Sequence, residues 1–270
     1  MRAIKSIFDF YLHGSIHVAM AVLALVLMTN HMFQNPFDYA MAGFAFFGTI
    51  FGYNFVKYES LFRLKKPGRK QLQAILGISL LSMLASAFCF LALHRNTQIT
   101  AVIFFGLTFL YTVPVFSNTK NIRNWSGVKI YMVAFCWAGV TTLLPLIEAG
   151  TTIISDVILK FGQRFLLVII LILIFEIIDL KNDDPTLMTV PQKIGVRKTK
   201  MLGLFLLLPF YVLEFLKSTV DITQLWINIV LVIVTALFTI FATPERSKYY
   251  TSFWVESIPV FWLLLVWLFS

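Results

Sequence analysis

The chain has 270 residues, 59% of them apolar and 16% aromatic, with only 13% charged and a mean hydropathy of +0.84. Soluble domains carry about 25% charged residues, so a water-soluble enzyme, a disordered tail, a disulfide scaffold and a collagen-like chain are all excluded. In so apolar a chain the excess of 22 Lys and Arg over 13 Asp and Glu, net +9, reports basic loops on one membrane face and not a nucleic-acid partner.

A helix crossing a hydrocarbon core of about 30 Å needs about 20 mainly apolar residues. In chain order nine segments qualify: 15–32, 39–56, 72–93, 99–117, 129–147, 164–180, 201–216, 223–242 and 251–270. Each is expected to be helical, because lipid offers no water to satisfy a strand's backbone, and none alternates apolar with polar residues as a barrel strand does. The first segment does not read as a cleavable signal, since Asp9, His13 and His17 interrupt its start and no small-residue cleavage site follows. Cys89 and Cys136 sit inside apolar runs, which gives no disulfide framework and leaves the redox compartment open. The expected fold is all-α, a polytopic membrane bundle of nine transmembrane helices.

The basic residues test that count. The amino terminus and the even-numbered loops hold 18 of them, whereas the other side has 4, namely Arg95, Lys160, Arg164 and Lys217. This asymmetry puts the amino terminus in the cytoplasm and, after nine spans, the carboxyl terminus outside. The loops are too short for a separate soluble domain, and no repeat or low-complexity tract is present. Function is therefore expected within the bundle or at its cytoplasmic mouth.

Polar residues are scarce enough to be weighed one by one. His13 and His17, four apart, share a helical face but lack a third ligand, so pocket lining or an interface is the better reading than a metal site. On the fifth span Met132, Phe135 and Trp137 suit either a tunnel wall or ordinary bundle packing. At the end of the sixth span FEIIDLKNDD gathers Glu176, Asp179, Asp183 and Asp184. On a continued helix Glu176, Asp179 and Asp183 would share one face, where three carboxylates need a cation such as Mg²⁺, above all one that also holds a phosphate. The alternative is a solvated helix end neutralised by Lys181 and the basic loop. Pro185 is expected to end that helix, and Thr189, Pro191 and Gly195 to punctuate a loop before Lys193, Arg197, Lys198 and Lys200, whose plainest role is topological. Glu214 and Glu256 lie close enough to segment ends for solvated positions. No broken-helix pair and no charge at mid-membrane depth speaks for a transporter.

The acid-x-x-Asp-x-x-x-Asp pattern followed by Thr189-Val190-Pro191 and Gly195 resembles the second aspartate-rich motif of the UbiA family of intramembrane prenyltransferases. LYTVP at the end of the fourth span, with Tyr111, and the following Lys120, Arg123 and Gly127 resemble the family's Tyr-x-x-Pro stretch and its basic loop. The family's first motif begins with Asn and places acids four and eight residues later. Here GYNFVKYESLF keeps Asn54 but has Tyr58 and Phe62 at those positions, and Glu59 would point about 100° away on a helix.

The resemblance implies a single UbiA-like domain over residues 1–270, with a polyprenyl diphosphate or related isoprenoid lipid as partner within the bilayer. It implies Mg²⁺ held by Glu176, Asp179 and Asp183, with Asp179 and Asp183 catalytic. Asn54, Lys57, Tyr111, Lys120 and Arg123 would bind substrate, and a polyprenyl group would pass from its diphosphate to an acceptor. Lys57 reads either as an ammonium replacing one metal ion or as a lysine snorkelling from a helix end. Loop topology accounts for Lys120 and Arg123 as well as phosphate recognition does. The degenerate first motif keeps open a second function, a non-catalytic protein that binds an isoprenoid or lipid phosphate.

Overall fold

The computed structural model describes residues 2–63, 70–112 and 128–269, and every regular element among them is helical. Helix α1 (Arg2–His13) was not among the expected spans. It carries Ile4 and Ile7 exposed, and meets α2 (Ile16–Met32) at a 57° bend. Ser15, in the left-handed region at φ 59°, makes that elbow. Then come α3 (Tyr39–Arg63), α4 (Lys70–Ala92) and α5 (Arg95–Thr112). Helix α6 (Val128–Ala138) runs through a π-helical turn, Gly139–Leu143, into α7 (Leu144–Glu148). Helix α8 (Ser155–Asp179) is followed by the short α9 (Val190–Ile194) and by α10 (Val196–Val212), with α11 (Ile222–Phe241) next. A second π-helical turn, Tyr250–Val255, leads into α12 (Ile258–Phe269).

Helix is present over the described part of every expected span. Among the described residues seven spans are long and apolar enough to cross a bilayer, or eight with the bent α1–α2 pair. Helix α5 is not among them, because its described part opens on the polar run Arg95–Gln98.

Helix α2 packs on α3 and α12, and α8 on α6 and α10, while the π-helical turn after α6 touches both α2 and α8. Helix α4 lies against α3 and exposes Leu80, Leu81, Leu84, Phe88 and Leu91 to the surroundings, as a lipid-facing helix does. Lipid tails are as apolar as leucine, so helices associate in a membrane through close packing and not through water exclusion. Accordingly Ala21, Ala24, Ala42, Ala45, Ala101, Ala134 and Ala138 are all buried at helix contacts. Three clusters of buried residues form the core, and the half-buried Trp137 packs against all three. Of the aromatic stretch on the fifth span, Trp137 thus belongs to the packing, with its indole N–H on the Tyr53 hydroxyl at 2.8 Å, while Phe135 lies between Phe104 and Phe161.

One proline organises the middle of the bundle. Pro145 has no amide hydrogen for the carbonyl of Thr141 one turn earlier. That carbonyl instead accepts the Thr29 hydroxyl at 2.7 Å and the Arg164 guanidinium at 3.4 Å, tying α2, the π-helical turn and α8 together.

Lys160 and Arg164 are not in an outer loop: α8 starts at Ser155, and both are enclosed, 1% and 0% exposed. Glu214, expected to be solvated, is also 0% exposed and receives Gln163 at 2.8 Å, Asn228 at 2.9 Å and Lys160 at 3.5 Å on Oε2, with Lys217 on its other oxygen. Among the described residues the bent α1–α2 pair is one broken pair, and Lys160, Arg164 and Glu214 are charges enclosed by neighbouring helices. A charge can sit within a span when a partner on another helix meets it, and such pairing carries no mark in linear sequence.

Candidate functional site

The ends of α3, α8 and α11 meet the beginnings of α2, α10 and the π-helical turn before α12 at the end of the bundle that carries most of the basic residues. Short contacts close this basic end. Tyr249 donates to Asp9 at 2.5 Å, Lys181 pairs with Glu245 at 3.1 Å, and Lys200 donates at 2.8 Å to the carbonyl of Ile240 near the negative end of the α11 dipole.

The acidic stretch does not continue as helix. Helix α8 stops at Asp179, whose carbonyl accepts the amides of Asn182 at 2.8 Å and Asp183 at 2.9 Å, so a turn replaces the expected next helical turn. Pro185 therefore does not end the helix; it opens a 3-10 turn, Pro185–Leu187, further on. Glu176 is buried and its Oε2 accepts the Val190 amide at 3.0 Å, which satisfies a donor at the start of α9 that has no partner within that helix. The segment expected as loop contains α9, entered through Thr189, whose amide donates to Gln192 at 2.9 Å. Gly195 joins α9 to α10 at φ +81°, a backbone region that only glycine enters without strain.

The three acids thus fall into two roles. Glu176 holds the α9 start, and half-buried Asp179 and Asp183 flank one turn at the basic end. Among the described residues no three His, Cys, Asp or Glu side chains are gathered closely enough to hold a metal alone. The donor set still suits Mg²⁺, which is ordinarily bound by one or two carboxylates completed by substrate phosphates, and not by an all-protein cage.

The region of the first motif lies in the last turns of α3. Asn54 is enclosed: its oxygen accepts Ser15 at 2.8 Å, and its amide nitrogen donates to the Gly14 carbonyl at 3.0 Å and the Ser79 hydroxyl at 2.9 Å. It pins α3 and α4 to the α1–α2 elbow, and its side-chain donors are spent there. Tyr58 donates to the His13 carbonyl at 2.9 Å, and Lys57, exposed, reaches the same carbonyl at 3.4 Å. Positions 57 and 58 therefore close on the elbow. Glu256, expected to be solvated, is half-buried just past the second π-helical turn. Tyr111 lies at the end of α5, its side chain outside the described residues, and Lys120 and Arg123 also lie outside them.

His13 and His17 do not share a face, because the elbow separates them. His13 donates to the Asp9 carbonyl at 2.6 Å. Buried His17 accepts the Tyr11 hydroxyl at 2.7 Å on Nδ1, while its Nε2 lies 2.9 Å from the Phe253 carbonyl and 3.1 Å from the Ser257 hydroxyl. Sequence reasoning missed this Tyr11–His17–Ser257 chain, which needs α1 folded back beside the π-helical turn before α12. Its only sequence signal was the polar, amphipathic stretch before the first span.

No protein-family profile and no curated protein matches the chain. Solved structures do. A UbiA homolog from Archaeoglobus fulgidus bound to GPP and Mg²⁺ matches with a TM-score of 0.66 at 11% identity, over 96% of this chain and 98% of that one. The apo UbiA homolog from Aeropyrum pernix K1 matches with a TM-score of 0.69 at 14% identity, over 94% and 98%. A digeranylgeranylglyceryl phosphate synthase matches with a TM-score of 0.57 at 17% identity, over 99% and 97%. At these identities the likeness is one of fold: this chain has the UbiA-like helical bundle along nearly its whole length.

Proposed function

We propose that this chain is an intramembrane prenyltransferase of UbiA type, a divergent one whose residues 1–270 form a single domain with a degenerate first acidic motif. The observation that carries the reading is the half-buried Asp179–Asp183 turn, held beside the Thr189–Gly195 segment at the basic end of a UbiA-like bundle. A polyprenyl diphosphate would lie with its tail among the helices and its diphosphate at that end. Two of the matching homologues' structures hold Mg²⁺ with GPP or DMAPP.

Asp179 and Asp183 would hold Mg²⁺ together with the diphosphate oxygens, and the bound ion supplies Lewis-acid stabilisation of the departing diphosphate. Glu176 positions the turn by fixing Val190, and so orients the carboxylates without touching the substrate. Lys120 and Arg123 are assigned to the diphosphate on their match to the family's basic loop, where a guanidinium fork suits phosphate oxygens. The allylic carbon–oxygen bond breaks with its electron pair leaving on the diphosphate. The acceptor then bonds to the carbon and gives up its proton to the released diphosphate, while aromatic walls shield the cation.

A second reading rests on the first-motif region. Tyr58 and Lys57 closing on the His13 carbonyl, with Asn54 enclosed, favour a protein that binds an isoprenoid or lipid phosphate without turning it over. One assay separates the two. Purified protein is given Mg²⁺, a labelled polyprenyl diphosphate and a panel of acceptors; diphosphate release is expected. Binding without release, beside an active family control, overturns the enzyme and leaves the binding protein.

The site is assigned to the cytoplasmic side on the basic-residue asymmetry. A cysteine introduced in the 63–70 loop is expected to react with an impermeant thiol reagent only from the cytoplasm, and one at Asn96 only from outside. Reversed labelling overturns this orientation.

A further inference from the structure

The proposed reaction uses neither of the two cations enclosed in the first half of α8. Lys160 and Arg164 lie one turn apart on α8 and approach the same ring, that of the fully buried Trp262 on α12. The Lys160 ammonium and the Arg164 guanidinium carbon each lie 5.5 Å from its centroid. Glu214 is the carboxylate of this layer, and its Oε2 is shared among Lys160, Gln163 and Asn228. Lys217 pairs with its other oxygen from the rim, where 13% of the lysine side chain remains exposed. The fully enclosed charges are thus two cations against one carboxylate.

Arg164 carries the excess. Its guanidinium donates to the Leu25 carbonyl at 3.0 Å, the Thr141 carbonyl at 3.4 Å and the Thr29 hydroxyl at 3.3 Å, all neutral acceptors. A guanidinium cannot shed its proton in a protein, and an enclosed charge without a counter-charge is costly. Of the enclosed donors that lack a partner among the described residues, two belong to this layer, Arg164 Nε and Trp262 Nε1. The amide oxygens of Gln163, Asn228 and Gln224 are open in the same way.

We infer that this layer is a binding site for one small monovalent inorganic anion of the chloride class, held by Arg164 Nε and Trp262 Nε1, with water on the surrounding amide oxygens. One enclosed positive charge in excess sets the charge of the ligand. The enclosure excludes a diphosphate or a lipid headgroup. Arg164 is separated from Asp179 by fifteen residues of α8, about 22 Å along the axis, so the site is separate from the proposed catalytic end. The anion would join α8 to α12.

The test uses the intact protein in a neutral detergent, exchanged into gluconate and titrated with chloride at constant ionic strength. Thermal unfolding and the binding of radiolabelled chloride are followed together. Wild type is expected to bind a single chloride per chain saturably and to gain about 5 °C in Tm at saturation. Lys160→Met removes one enclosed cation, so Glu214 and Arg164 balance. Its chloride affinity is expected to fall at least tenfold while its unfolding stays cooperative. Absence of saturable chloride binding to wild type overturns the inference whether or not the variant folds, and so does undiminished chloride affinity in a folded Lys160→Met protein.

Discussion

Asp179→Asn is expected to lower prenyl transfer by about a hundredfold or more, the range seen when one group that stabilises transition-state charge is removed. The substitution keeps the side chain's shape and removes one negative charge. The turn itself should survive, because the Asp179 carbonyl, and not its carboxylate, accepts the amides of Asn182 and Asp183. The stability of the ligand-free protein should therefore change by no more than about 0.5 kcal/mol. Thermal stabilisation by Mg²⁺ with a prenyl diphosphate should largely vanish, since a ligand stabilises only the state that binds it. The checks are initial rates of diphosphate release and Tm with and without both ligands. An Asp179→Asn protein with wild-type turnover and wild-type ligand-induced stabilisation would reduce the acidic turn to a solvated helix end.

Gly139→Ala is expected to destabilise the bundle by about 3 kcal/mol, the upper end of ordinary overpacking. A Cβ at this position would lie 1.9 Å from Cζ and 2.2 Å from Cε1 of Phe104, so the ring has to leave its place. Phe104 is buried in the cluster that joins α2, α3 and α5 to α7, and it also packs against Phe135 at 5.7 Å. Retreat in one direction therefore displaces other side chains. Phe104→Ala alone should cost about 3–5 kcal/mol, but in that background Gly139→Ala should cost little, because the clash is gone. Denaturant or thermal unfolding of the four proteins in a double-mutant cycle measures the coupling. Additive losses would mean that the close approach of Phe104 to Gly139 does not limit the packing here.

What linear sequence determined is what a bilayer demands of any chain. Apolar runs of spanning length mark where helix must form, because unpaired backbone cannot stay in lipid, and helix is present over the described part of each expected segment. The acidic stretch at Glu176–Asp184 was legible for a related reason: in a chain with 13% charged residues a group of carboxylates stands out. Its resemblance to the UbiA second motif also led to the bundle that the solved structures share.

Tertiary structure alone decided which partners those polar residues meet. The Glu176 carboxylate clamps backbone because the Val190 amide folds back onto it. Asn54 kept its motif position, yet its hydrogen bonds belong to the elbow formed by Gly14 and Ser15. Lys160 and Arg164 read as loop residues because a charge ordinarily marks the end of a span. They lie deep in α8 because Glu214, more than fifty residues away, and the carbonyl left open by Pro145 meet them there. Hydrophobic length is a property of each segment by itself, whereas the partner of a polar group depends on how neighbouring helices are rotated and where they bend. That rotation is set by close packing among spans distant in sequence, and no single segment carries it.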